Sequence, residues 1–138
     1  MSEEFALAGG CQCGAVRYRV SAPAIETMHC HCSVCRKVHG AMFVTFSDVP
    51  DDAFGIEQGA GNLSVFESSP GNRRYFCKTC SSVIYTKMPD LPLTFVSTGT
   101  LDEGAHPGHA VGKESHIFWG SKAPWLAMAD DLPKADEY

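Results

Sequence analysis

Long hydrophobic runs are missing from this sequence. The longest stretch without a charged side chain, residues 5–16, is 12 residues, whereas a membrane-crossing helix needs about 18. No membrane partner is therefore expected. Basic side chains are the scarcer sign, 11 against 16 acidic, for a formal charge of −5. That balance argues against a general nucleic-acid binder, which needs a basic face for phosphates. The opening Met1-Ser2-Glu3-Glu4 is acidic and lacks the basic start of a signal peptide, so a cytoplasmic protein is expected. No repeat, low-complexity tract or long linker interrupts the 138 residues, which read as a single domain over 1–138.

Helical signal is sparse as well. One short helix is expected over 34–39, capped by Ser33 and ended by Gly40, with a brief turn near 126–130. In their place are short apolar or alternating runs bounded by Gly, Pro, Asn, Asp or Ser. Residues 15–20 place Val16, Tyr18 and Val20 on one strand face. Further strands are expected at 42–46, 63–66, 73–76, 83–86, 93–97 and 116–119. Many short strands and few helices predict a mainly β, antiparallel domain.

Cysteine is abundant. Seven is an odd number, which cannot form a closed disulfide set and points to a reducing compartment. The cysteines fall into a C-x-C (Cys11, Cys13), a C-x-C-x-x-C (Cys30, Cys32, Cys35) and a C-x-x-C (Cys77, Cys80). Zn²⁺ takes four tetrahedral ligands and favours thiolates. Cys11, Cys13, Cys77 and Cys80 would close one such site, whose net charge of −4 + 2 = −2 describes a saturated, structural centre. Cys30, Cys32 and Cys35 would then hold a second zinc with an open fourth position, at −3 + 2 = −1, suited to Lewis-acid chemistry. Other arrangements stay open. They are disulfides or free thiols, a zinc ribbon pairing Cys32 and Cys35 with Cys77 and Cys80, a redox dithiol at Cys32 and Cys35, and an iron–sulfur cluster.

His31, His39 and Arg36 flank the second cluster and are candidates for substrate contact or proton transfer. His29 precedes it. Of Arg73 and Arg74, strand alternation lets at most one reach a site. Phe118, Trp119 and Trp125 form an aromatic group for core packing or a pocket wall.

Three segments carry a resemblance. Gly9-Gly10-Cys11-Gln12-Cys13-Gly14-Ala15-Val16, His29-Cys30-His31-Cys32-Ser33-Val34-Cys35-Arg36-Lys37 and Phe76-Cys77-Lys78-Thr79-Cys80 resemble the glutathione-dependent formaldehyde-activating family, which also includes centromere protein V. The similarity runs over about 7–125 and closes with His116-Ile117-Phe118 and Ala123-Pro124-Trp125. It implies a β-tent fold of short antiparallel strands around a structural zinc. That zinc matches Cys11, Cys13, Cys77 and Cys80, and a catalytic zinc matches Cys30, Cys32 and Cys35. The implied activity is that of S-(hydroxymethyl)glutathione synthase, a carbon–sulfur lyase acting on a thiol adduct of a small aldehyde. The expected partners are a small-molecule thiol and an aldehyde. A zinc-stabilised protein-interaction module without catalysis, or a thiol redox protein using Cys32 and Cys35, are the alternatives.

Overall fold

A computed structural model describes residues 5–138. Its strands are β1 (Leu7–Gly10), β2 (Arg17–Val20), β3 (Thr27–Cys30), β4 (Val44–Pro50), β5 (Phe54–Gln58), β6 (Leu63–Ser69), β7 (Asn72–Cys77), β8 (Val83–Lys87), β9 (Leu93–Ser97) and β10 (Glu114–Ile117). The helix α1 spans Ser33–His39. The fold is mainly β, as expected. A three-stranded sheet runs β1-β2-β5, and a seven-stranded sheet runs β10-β3-β4-β9-β8-β7-β6.

All pairings are antiparallel except that of β10 with β3, which is parallel. The mainly antiparallel expectation holds, with this one parallel edge added to it. The long connection between β3 and β10 lets β10 return to the edge in the same direction. Three strands were not anticipated. β1 reads Leu-Ala-Gly-Gly and carries no alternation. Gly9 is required there because a Cβ would meet the Tyr18 hydroxyl and the Thr100 carbonyl. β3 coincides with the cysteine motif, and β5 contains only two large apolar residues, Phe54 and Ile56.

Two further details differ from expectation. The cap of α1 is Cys32, not Ser33, and its Sγ accepts from the Cys35 N–H at 3.2 Å. The helix does stop at Gly40, which takes the left-handed conformation at φ 62° and donates to Arg36 O. The turn expected at 126–130 lies earlier, where Leu126 N–H donates to Ala123 O.

The two faces of the large sheet have different coverings. One face packs Val49, Ile84, Val96 and Cys77 against Val16, Tyr18 and Val20 of the small sheet. A bulge on β8 skips Ile84 in the register, since Tyr85 pairs with Tyr75 and Val83 with Phe76. Both Ile84 and Tyr85 thereby join that core, while Thr86 returns to the opposite face beside Arg74. On this opposite face Val44, Phe46 and Ile117 pack with Cys30 and Cys35, and the remainder is an open cleft. No helix among the described residues is long and apolar enough to cross a membrane.

Candidate metal centres and the cleft

The chain brings its seven cysteines together as two clusters, Cys11 with Cys13, Cys77 and Cys80, and Cys30 with Cys32 and Cys35. Within each cluster the sulfur atoms lie within 4.8 Å of one another. All seven are free thiols. In the first cluster Sγ of Cys11 and Cys13 are 3.6 Å apart, and those of Cys13 and Cys77 are 3.7 Å apart. Four thiolates around zinc at the usual bond length of about 2.3 Å would stand about 3.8 Å from one another, so the donor set fits the ion. The surroundings supply outer hydrogen bonds. Val16 N–H donates to Cys11 Sγ, Asn62 Nδ2 to Cys77 Sγ, and Cys80 Sγ lies 3.2 Å from the Ser82 hydroxyl. Hydrogen bonds from Ser82 bring the Cys80 thiol down to about 5, favouring the ligating thiolate.

The second cluster is assembled from the end of β3 and the start of α1. Cys30 ends the strand, Cys32 caps the helix and Cys35 occupies its first buried turn. Three sulfurs at this spacing fit a zinc with one position left for another ligand. The Cys30 thiol hydrogen-bonds Cys35 and, against burial and with help from Arg74, holds it down to about 6. Arg74 is only 6% exposed. Its guanidinium donates to Cys35 Sγ (3.5 Å), His39 Nε2 (3.0 Å) and Ser68 Oγ (2.9 Å).

This second cluster lines a cleft of about 570 Å³. Its walls include Phe46, Phe95, Ile117 and Phe118. Arg74 lies on one side and Asp48 with Glu26 on the other. None of Cys11, Cys13, Cys77 and Cys80 borders it.

The other candidates fall as follows. His31 is fully buried and lies with its Nε2 2.8 Å from His116 Nδ1, while His116 Nε2 reaches Asp130 at 2.9 Å. Burial, then the neighbouring His116, pushes His31 down to about 4. His29 joins this group, bonded to Thr45 and Glu114. His39 meets Arg74 rather than the cleft. Burial, then Arg74, pushes its imidazole down to about 4. Arg36 donates to His31 O. Phe118 lines the cleft, Trp119 packs on His31 and His116, and Trp125 is exposed. Asp48 and Thr86 were missed because neither belongs to a motif; only strand register places them at the cleft.

Fold and site together define a two-sheet β protein with one four-thiol cluster suited to zinc and one three-thiol cluster on a cleft wall. The sequence profile of the glutathione-dependent formaldehyde-activating enzyme matches residues 6–121, and the chain belongs to that family. A relative from Halomonas elongata, provisionally named a glutathione-dependent formaldehyde-activating enzyme, is 30% identical over 132 residues, 88% of this chain and 80% of its own length. One from Penicillium rubens with the same provisional name is 31% identical over 105 residues. That match covers 70% of this chain and 55% of the fungal protein, so the chain spans about half the length of that relative. The crystal structure of a Rhodobacter sphaeroides protein superposes with a TM-score of 0.58 at 23% identity, covering 73% of this chain and 92% of the other. At that identity the likeness concerns fold alone.

Proposed function

We propose that this chain, acting as one domain, is a zinc-dependent enzyme that adds the glutathione thiol to formaldehyde, a carbon–sulfur lyase in the reverse direction. The observation that carries this reading is the three-thiol cluster on the cleft wall, separate from the four-thiol cluster. Held there, zinc supplies a Lewis acid that lowers the pKa of a thiol or polarises a carbonyl.

The chain's own groups do the rest. Cys30, Cys32 and Cys35 provide the ligands, and Arg74 offsets the net −1 that three thiolates leave beside a dication. Phe46, Phe95 and Ile117 give the cleft an apolar lining beside the cluster. Holding thiol and aldehyde in one cleft removes the entropy cost of their meeting. The sulfur bonds to the carbonyl carbon, the π pair moves to oxygen, and the thiol proton ends on that oxygen. The reverse direction breaks the same C–S bond. Seven free thiols support a reducing compartment, and we place the protein in the cytoplasm.

The test is NMR exchange spectroscopy of glutathione with ¹³C-formaldehyde, with and without zinc-loaded protein. Adduct formation is expected to exceed the spontaneous rate. Cys32→Ser should keep the β circular dichroism spectrum, bind about one zinc fewer and fall to the spontaneous rate. A wild-type rate equal to the spontaneous one overturns the reading.

A further inference from the structure

Beyond the three-thiol cluster, the cleft floor carries a row of side chains set by register. Arg74 on β7 pairs with Thr86 on β8, Thr86 with Phe95 on β9, and Phe95 with Asp48 on β4. All four line the cleft. Of these, Thr86 has an unpartnered hydroxyl and Asp48 a buried carboxyl with no cation paired to it among the described residues. Asp48 is 5% exposed and makes no ion pair among the described residues; its Oδ1 accepts only the Glu26 N–H, at 2.9 Å. Buried carboxylates are seldom left without a cation. Thr86 is also 5% exposed, and its hydroxyl has no partner; an unmade buried hydrogen bond is costly.

We propose that Thr86 and Asp48 form a subsite for a zwitterionic amino-acid head group, with the ammonium on Asp48 and the carboxylate at the Thr86 hydroxyl. This rests on the thiol-binding reading above and names the part of the thiol substrate that the cleft selects, its γ-glutamyl arm. Charge along the row agrees. Arg74 stands one strand beyond Thr86, on the carboxylate side, and Glu26 lies next to Asp48, on the ammonium side. Phe95 lies between them beneath the apolar part of the arm.

The reach agrees as well. Thr86 and Asp48 are two strand steps apart, about 10 Å. An α-amino acid head with a hydrogen bond at each end bridges that span. Cys30 pairs with Val44, and Asp48 lies four residues farther along β4, about 13 Å along the strand. In glutathione, eight bonds separate the sulfur from the γ-glutamyl nitrogen, roughly 10 Å when extended. A sulfur held beside Cys30, Cys32 and Cys35 therefore puts that ammonium at Asp48. In the dipeptide Cys-Gly the amine is three bonds from sulfur and falls short.

The experiment is equilibrium binding to the zinc-loaded protein by titration calorimetry, with glutathione, N-acetylated glutathione and Cys-Gly as probes. Glutathione should bind about tenfold more tightly than its N-acetylated form. Asp48→Asn should abolish that preference while leaving Cys-Gly affinity alone. Thr86→Val should weaken glutathione severalfold, again without changing Cys-Gly. Both substitutions conserve shape, and matching circular dichroism and zinc content confirm the fold. Equal binding of all three thiols by the wild type, or a preference that survives Asp48→Asn, overturns the subsite and leaves the thiol-binding reading standing. Binding of none of the three removes both.

Discussion

Arg73 and Arg74 adjoin in sequence, yet their fates diverge. Arg73 is exposed and faces Glu67 across the strand pair at 3.6 Å. Arg74 is buried and divides its guanidinium among three acceptors. Alternation along a strand makes this split legible from sequence. It does not say which arginine turns inward, because that depends on the bulge and register of neighbouring strands. The identity of the α1 cap was similarly hidden. A serine beside a cysteine is the better cap by propensity, but here the Cys32 Sγ accepts the orphan N–H. Arg74→Met should cost about 2–3 kcal/mol, since it strands His39 Nε2 and the Ser68 hydroxyl without their donor. Urea unfolding at pH 7 measures that loss. Chelator competition followed by native mass spectrometry should show the second zinc leaving at lower chelator concentration, while the first stays bound. Arg74→Lys restores charge but not the three-way fork, and should recover only part of each effect.

Seven of the ten strands announce themselves through β-branched or aromatic alternation. β1, β3 and β5 do not, because packing partners rather than propensity determine them. The same is true of segment 130–138. It continues the sheet beside β10, with His116 N–H donating to Pro133 O, Ala135 N–H to His116 O and Phe118 N–H to Glu137 O. Asp130 fastens this segment through Lys134 at 2.9 Å and His116 at 2.9 Å. Tyr138 then packs on Phe118 at the cleft rim. Lys134 and then His116 hold the Asp130 carboxyl well below the usual carboxylate range. A carboxyl depressed in the folded state contributes stability above its unfolded value, near pH 4, and loses it as pH falls toward the folded one. Asp130→Asn should thus speed amide exchange at Ala135 and Phe118 severalfold at pH 6. The difference from wild type should close as pH drops below about 4. Equal exchange at pH 6 would show that the segment is held by its backbone bonds alone.

The division of seven cysteines into four and three is visible in the spacing, and the structure brings both groups together. Sequence does not reveal what each group joins. Cys11 and Cys13 follow β1 in the small sheet, while Cys77 and Cys80 end and follow β7 in the large one. The four-thiol cluster therefore sits where the two sheets meet, with Cys77 fully buried in their shared core. The three-thiol cluster lies on the opposite face of the large sheet, beside α1 and the cleft. Loss of a structural zinc removes folding free energy on the order of 10 kcal/mol, comparable to the entire stability of a small domain. Cys77→Ser should leave the protein largely unfolded at 25 °C, without the near-ultraviolet dichroism of packed aromatic rings. Cys32→Ser removes one sulfur ligand but keeps a side-chain acceptor at the α1 cap, and should shift the melting temperature by only several degrees. Thermal melts monitored by circular dichroism, with zinc counted by mass in the same samples, separate the two roles. If Cys32→Ser unfolds the chain as completely as Cys77→Ser, the sheets are held from both faces and the clusters share one structural task.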